Sequence, residues 1–214
     1  MKHFKGKVLL TGLLITVVIS NSCSLMKAGR EYDELRNSVL RLHILADSDS
    51  ERDQWLKLRV RDEVLRISDS IFGGAENRAE AEEKVRRGLH CLEEAAETAL
   101  RRFGCTAPVS AVLETVHFDE RTYGDLTMPA GDYRALRLLI GSGGGHNWWC
   151  VMYPELCIPA ACARDGGAEE MFTPEQLDIL KKPKKYRIRL AVWDKTKALR
   201  EKLTGKNDEN REAA

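Results

Sequence analysis

The 214-residue sequence contains no internal repeat and no low-complexity tract, so it indicates neither a repeat architecture nor a biased linker. It also contains no long hydrophobic run. The apolar stretch Val8–Ser20 has 13 residues. As a helix it would reach about 20 Å, which is short of the ~30 Å hydrocarbon core of a bilayer.

The body of the chain also lacks an excess of positive charge. The net charge of +1 includes five basic residues and no acid within the first 30 residues, so the remainder carries 1 − 5 = −4. This balance argues against nucleic-acid binding through bulk charge. The basic segment from Lys181 to Lys202 is a local exception. It is typical of a solvated helix face, and peripheral contact with an anionic membrane surface or an acidic partner is the alternative.

The N-terminus has the pattern of an export signal. Lys2, Lys5 and Lys7 precede the apolar run, and Ser20-Asn21-Ser22 at its end has the small-x-small pattern of a cleavage site. We therefore predict a signal peptide or membrane anchor over residues 1–22, with cleavage or retention left open. The remaining chain is long enough for one ordinary domain, which we place at residues 31–203, followed by a flexible polar tail at 204–214.

Two helices and one strand are expected in the first half of the chain. The alternation in Val39–Ala46 predicts a strand with one face in the core. Ser50 can cap a helix that Gly73 and Gly74 end. A second helix is predicted over Arg78–Phe103. The apolar positions of the two helices recur at helical spacing, at Leu56, Val60, Val64, Ile67 and Ile71 in the first and at Val85, Leu89, Leu92, Ala96, Leu100 and Phe103 in the second.

The second half is richer in β-structure. We predict strands at Val109–Phe118, Tyr133–Ile140 and Trp148–Tyr153, with a loop at Asp119–Gly131. The last two strands are expected to form a hairpin through the Gly-rich segment Gly141–Asn147. Two further helices are predicted, at Pro174–Leu180 and at Tyr186–Leu203. The fold class is therefore α+β, a small mixed or antiparallel sheet packed against two long helices in a single domain.

Two familiar ligand motifs are incomplete in this sequence. Asp47, Asp49, Glu51 and Asp53 alternate like the start of a calcium loop, but Arg52 and Leu58 stand where an EF-hand needs Gly and Glu. Helix capping explains these acids without a metal. The glycines of the Gly-rich segment lead into a strand rather than a helix, so no phosphate-binding loop is indicated.

The cysteines admit several interpretations. Cys150 and His146 could form a thiolate–imidazole pair, but four residues of extended chain separate them by about 13 Å. A zinc site from His146, Cys150, Cys157 and Cys162 has suitable ligands without a familiar spacing. A disulfide between Cys150 and Cys157 across a proline turn agrees with export. Buried free thiols are the remaining alternative.

The tryptophan pair favours a binding role. Neighbouring residues of a strand point to opposite faces, so one of Trp148 and Trp149 can enter the core while the other stays near the surface. An exposed Trp is a typical interface anchor. This arrangement favours a binding protein over an enzyme.

Two segments resemble a known family. Arg41–Lys57 reads RLHILADSDSERDQWLK, and Tyr133–Cys157 reads YRALRLLIGSGGGHNWWCVMYPELC. Both are similar to the stage II sporulation protein R family of spore-forming Firmicutes, and the resemblance covers most of Val39–Cys157. It implies a signalling protein that is made in the forespore and exported into the space between the two sporangial membranes. There it would trigger a membrane-embedded aspartic protease that processes the sigma-E precursor.

The resemblance implies neither catalytic residues nor a cofactor or metal. We expect function by contact, through side chains in the two matching segments: Arg41, His43, Asp47, Asp49, Asp53, His146, Asn147, Trp148 and Trp149. The competing hypothesis is a secreted cysteine-dependent enzyme of the cell envelope, with Cys150 as nucleophile and His146 as base.

Overall fold

The computed structural model describes residues 2–153, 172–186 and 192–197. It divides into two compact units, of which one comprises Met1–Glu34 with Pro174–Ala214 and the other comprises Leu35–Thr173. The elements in chain order are α1 (Lys2–Ser38), β1 (Leu40–Leu45), α2 (Glu51–Phe72), α3 (Arg78–Arg101), β2 (Val109–Phe118), β3 (Arg121–Tyr123), β4 (Leu126–Met128), β5 (Gly131–Ile140), β6 (Asn147–Tyr153) and α4 (Pro174–Lys181).

A four-stranded mixed sheet forms the centre of the Leu35–Thr173 unit. Its strand order is β2-β5-β1-β6, with β1 parallel to β5 and antiparallel to β6, while β2 runs antiparallel to β5. Helices α2 and α3 contribute apolar side chains to the same core as one face of the sheet. The predicted α+β fold, with a small mixed sheet and two long helices, is confirmed. The domain boundaries at residues 31 and 203 stay a prediction.

Local sequence signals account for both long helices. The Ser50 hydroxyl accepts a hydrogen bond from the Asp53 amide at 3.1 Å, as the predicted N-cap requires. Helix α3 begins after Asn77, whose side chain accepts from the Glu80 amide at 3.0 Å, and it is followed by Gly104 at φ +68°. Phe103 is the exception to the predicted stripe. It lies beyond the helix end, is 43% exposed and contacts the exposed Trp55 edge to face.

Two predictions about the connections are wrong. The segment Asp119–Gly131 contains a short hairpin, β3–β4, rather than only a loop. The strands β5 and β6 do not form a hairpin either, because β1 lies between them and pairs with both. The Gly-rich segment must therefore cross the end of β1 to reach the far edge of the sheet.

The other unit contains the described parts of the C-terminal region. The short helix predicted after Thr173 is confirmed as α4. Within the predicted helix Tyr186–Leu203, residues 192–197 are helical, and the rest after Tyr186 lies outside the described residues. Trp193 packs against Gly29, where a Cβ would collide with the indole, and its Nε1 donates to Asp33 at 3.1 Å. In the part of the chain that the structure describes, no helix is both long enough and apolar enough to span a bilayer.

Candidate functional site

The loop Gly141–His146, here called the crossing loop, passes over the C-terminal end of β1. The Gly145 amide donates to the Ala46 carbonyl at 2.9 Å, and the Gly144 amide donates to the Asp47 carbonyl at 3.2 Å. A Cβ at Gly145 would lie 2.5 Å from the Ser48 carbonyl carbon. The glycine is thus needed because two backbones approach too closely for a side chain. Asp47–Asp49 therefore lie beside the crossing loop at the C-terminal end of β1.

Two of the acids after β1 hold this loop in place. The Ser142 amide donates to Asp47 Oδ1 at 2.7 Å, and the His146 amide donates to Asp49 Oδ1 at 2.6 Å. These backbone hydrogen bonds lower the pKa of both carboxyl groups, because they stabilise the charged form. Asp49 also pairs with the His146 ring. Helix capping, our sequence-based explanation of these acids, therefore does not account for Asp47 and Asp49.

Residues of α2 also hold the crossing loop and the turn after β1 in place. Lys57 Nζ donates to the His146 carbonyl at 2.8 Å and is buried. Burial lowers its pKa, because the charged ammonium loses hydration, and the nearby Asp49 opposes that effect. Asp53 accepts a hydrogen bond from the Ser48 hydroxyl. The crossing loop is therefore tied both to the turn after β1 and to the first turns of α2.

The second face of β1 is also covered, contrary to the prediction of a strand with one face in the core. Arg41 is fully buried and His43 is 4% exposed. Their neighbours form an aromatic cluster from strands β2, β5 and β6 and from the β3–β4 hairpin: Phe118, Tyr123, Tyr133 and Trp149. A second apolar layer thus replaces the expected solvent-facing side.

Arg41 lies within this aromatic cluster. Its guanidinium carbon is 3.9 Å from the Phe118 ring centroid and 5.0 Å from that of Tyr133. Its Nη2 donates to the Tyr123 hydroxyl at 2.7 Å. Burial lowers the pKa of Arg41 because the charged form is desolvated. Arg41 is therefore not part of the exposed contact surface that the sequence suggested.

His43 is stacked on Trp149, with ring centroids 3.7 Å apart and an angle of 13° between the planes. Its Nε2 lies 2.9 Å from Asn147 Oδ1, so the ring and the amide share a hydrogen bond. Burial lowers the His43 pKa from 6.5 to about 4, despite the opposing effect of that bond. His43 is therefore neutral at neutral pH.

This pKa predicts a loss of stability in mild acid. The unfolded chain binds a proton at His43 below pH 6.5, whereas the folded chain resists protonation down to about pH 4. The stabilisation is therefore complete above the unfolded pKa and is lost as the pH falls through this window. Between pH 7 and pH 5 we expect His43 to account for about 1–2 kcal/mol of the decrease in unfolding free energy.

Urea denaturation of the chain and of His43→Gln across this pH range measures that contribution. Glutamine keeps a polar side chain near Asn147 but does not titrate, so the variant should lose less stability in acid than the unchanged chain. An equal decrease in both proteins would contradict the assignment to His43.

The two tryptophans point to opposite faces, as predicted. Trp148 packs against the core beneath α2 and α3, and Trp149 joins the aromatic cluster. Both are half-buried. Cys150 is on the core side with Trp148 and is 1% exposed, whereas the His146 side chain is 78% exposed and pairs with Asp49. The predicted Cys150–Cys157 disulfide stays a prediction, because Cys157 lies outside the described residues.

The structure thus divides eight of the nine predicted contact residues into two groups, while the ninth, Trp148, packs against the core. Asp47, Asp49, Asp53 and His146 lie around the crossing loop, whereas Arg41, His43, Asn147 and Trp149 are linked through the aromatic cluster. Within the described residues, no group of three or more His, Cys, Asp or Glu side chains is arranged to hold a metal ion. Sequence reasoning missed Lys57 and the rings of Phe118, Tyr123 and Tyr133. Of these, Phe118 could have been noticed as the last apolar residue of an alternating strand.

Comparison with known proteins matches the part of the chain that contains both groups. The family model described as stage II sporulation protein R (spore_II_R) matches residues 36–162. A curated protein of Bacillus subtilis (strain 168), named stage II sporulation protein R, is 31% identical over 150 residues. That alignment covers 70% of this chain and 66% of the relative, so the chain spans slightly less than two thirds of the relative's length. No solved structure matches.

Proposed function

The chain belongs to the stage II sporulation protein R family and so has a role in sporulation, and from this premise we propose that it is an exported signalling protein. In this proposal it crosses the cytoplasmic membrane and acts in the space between forespore and mother cell. There it binds a membrane-embedded aspartic protease and triggers processing of the sigma-E precursor. The chain itself performs no catalysis.

The observation that carries the proposal is the fixed, exposed edge around the crossing loop. The side chains of His146 and Asp49 are 78% and 55% exposed. The His146 backbone is held at both ends, because its amide donates to the Asp49 carboxylate and its carbonyl accepts from Lys57. A polar surface that is ordered before binding loses less conformational entropy when a partner docks. This favours recognition of a protein surface by the matched region of the chain.

The geometry gives the cysteine-enzyme hypothesis less support. Cys150 is buried in the hydrophobic core, and its Sγ lies 3.2 Å from the Val151 carbonyl. The His146 ring instead pairs with Asp49 on the exposed side of the loop. A nucleophile and its base need to lie within hydrogen-bond reach of each other. These two groups have separate partners.

The proposal also includes peripheral membrane contact through the segment from Lys181 to Lys202. Within the described part of this segment, Lys182 and Lys185 pair with Asp178 at 2.6 and 2.7 Å, and Lys197 lies 3.5 Å from Asp33. These ion pairs reduce the charge available for anionic lipids. Any membrane contact is therefore expected to assist protease binding rather than to replace it.

Reconstitution tests the proposed activity. The purified chain is added to membranes that contain the candidate protease, and cleavage of the sigma-E precursor is followed. We expect cleavage to depend on the chain, and Cys150→Ser to lose activity only in proportion to the folded protein that is lost. If Cys150→Ser is folded and binds the protease but loses nearly all activity, the result would favour the cysteine-dependent enzyme hypothesis instead.

A further inference from the structure

Arg41 is a buried cation without a bound carboxylate among the described residues. Its Nη2 bonds to Tyr123, but Nε and Nη1 have no hydrogen-bond partner in the part of the chain that the structure describes. Other arginines around this sheet are paired, since Arg134 meets Glu82 and Arg137 meets Glu114. Burying an arginine with two unoccupied donors is unfavourable, and proteins usually avoid it by pairing the charge.

The groups around Arg41 do not neutralise its buried positive charge as an anion would. Aromatic rings interact with the flat faces of a guanidinium, whereas its N–H donors point outward in its plane. The nearby Arg121 adds a second positive charge that acts on Arg41. His43, two residues along the same face of β1, also has an unpartnered buried nitrogen, Nδ1. The unoccupied donors of the cluster are therefore Nε and Nη1 of Arg41, because the neutral His43 ring donates through Nε2 to Asn147 and its Nδ1 is an acceptor. The acid that acts on His43, Glu114, is paired with Arg137.

The shape of the donors selects the ligand class. A guanidinium presents two planar forks, each of which combines Nη2 with either Nε or Nη1, and each fork matches the two oxygens of a carboxylate. In Arg41 both forks include one unoccupied nitrogen. Because His43 is neutral, a single carboxylate would neutralise the charge of Arg41 itself. A phosphate dianion would fit the same fork but would bring twice the charge that Arg41 alone can neutralise.

We propose that Arg41 is the binding site for a carboxylate group of a partner polypeptide, which replaces the Tyr123 hydroxyl at the guanidinium. The β3–β4 hairpin carries Tyr123, and its Arg121, Thr122, Gly124 and Asp125 are exposed, so the carboxylate reaches Arg41 from the hairpin side. Only the identity of the partner rests on the proposed function. The site itself rests on the contacts of Arg41.

The test uses the full chain and three small probes. The N-methylamide of N-acetylglutamate presents a side-chain carboxylate, N-acetylalanine presents a chain-terminal carboxylate, and the N-methylamide of N-acetylglutamine is the neutral control. The readouts are the NMR signals of the Arg41 Nε–H and the Trp149 indole. We expect saturable shifts with a carboxylate, at a Kd of about 1–10 mM as expected for two charge-assisted hydrogen bonds, and none with the amide. The probe that binds more tightly shows whether the site prefers a side-chain or a chain-terminal carboxylate.

Variants separate a binding role from a structural one. Arg41→Met should abolish the indole shift and leave the thermal midpoint unchanged or higher, because it removes an uncompensated buried charge. The matched control Arg134→Met should lower the midpoint, because it leaves Glu82 without one of its partners. If Arg41→Met does not fold, Tyr123→Phe provides the test. This variant removes the competing hydroxyl and should bind the carboxylate probe severalfold more tightly.

Three results would overturn the proposal. They are the absence of a saturable shift with either carboxylate, an equal response to the amide, and weaker binding by folded Tyr123→Phe. None of these measurements involves the protease, so failure of the site is distinguishable from failure of the proposed function. The chain could bind the carboxylate probes while Arg41→Met still triggers the protease fully. That combination would show that the carboxylate bound at Arg41 does not belong to the protease.

Discussion

Replacement of Gly145 by Ala is expected to lower the unfolding free energy by about 3 kcal/mol, at the upper end of the usual cost of overpacking. The added Cβ would meet the Ser48 carbonyl carbon at 2.5 Å and the Ala46 Cβ at 3.0 Å. The first contact is with backbone, so no side-chain rotation relieves it. The crossing loop would have to lift from β1 and lose its hydrogen bond to Ala46. Urea denaturation followed by tryptophan fluorescence measures the change.

Gly144→Ala is the matched control within the same loop. The nearest atoms to its Cβ would be Ser142 Oγ at 3.3 Å and the Asp47 carbonyl oxygen at 3.4 Å, which small shifts can accommodate. The expected cost is within about 1 kcal/mol. Equal destabilisation by both substitutions would indicate that any side chain in this loop is unfavourable, and it would count against the close approach of Gly145 to β1 as the specific cause.

The second large effect is expected on binding of the chain to the protease. Replacing both Asp49 and His146 with Ala removes two exposed groups from the edge around the crossing loop. If this edge is the contact surface, the affinity for the protease should fall about thirtyfold or more, as loss of interface anchors typically does. Binding of labelled chain to protease-containing membranes measures the effect, and the thermal midpoint confirms that the variant is folded.

Helix α3 offers a matched control for this pair. His90 Nε2 lies 3.3 Å from Glu94 Oε1, and these side chains are 82% and 65% exposed. The double variant His90→Ala/Glu94→Ala therefore removes the same kinds of group from a different surface. It should bind the protease normally. Equal losses in both double variants would indicate a general charge effect and would count against a specific edge.

The helices could be predicted from the sequence because their determinants are local. The caps at Ser50 and Asn77 and the apolar stripe at Leu56, Val60 and Val64 lie within each helix or next to it. The helical spacing predicts Phe103 in the buried stripe, because it continues the period of α3. The helix ends before it, so it lies on the surface instead.

The strand order and the burial of β1 depend on contacts between segments that are far apart in the sequence. No local pattern in the sequence shows these contacts. Arg41 and His43 alternate with apolar residues like a solvent face, but Phe118 and Trp149, more than 70 residues away, cover them. The sequence predicts pairing of β5 with β6, because strands that follow each other in the chain often form hairpins. The insertion of β1 between them follows from the parallel β1–β5 pairing, and no local signal encodes it. The contact of the crossing loop with Asp47 and Asp49 depends on the same long-range arrangement.

The central claim is that the chain activates the protease by remaining bound to it. The most direct measurement is the rate of precursor cleavage when the chain is added at less than one molecule per protease. We expect a rate proportional to the fraction of protease that holds a bound chain, constant during incubation and lost when the chain is washed away. A rate that rises with time to full activation, and persists after the chain is removed, would show turnover by the chain and would contradict the account.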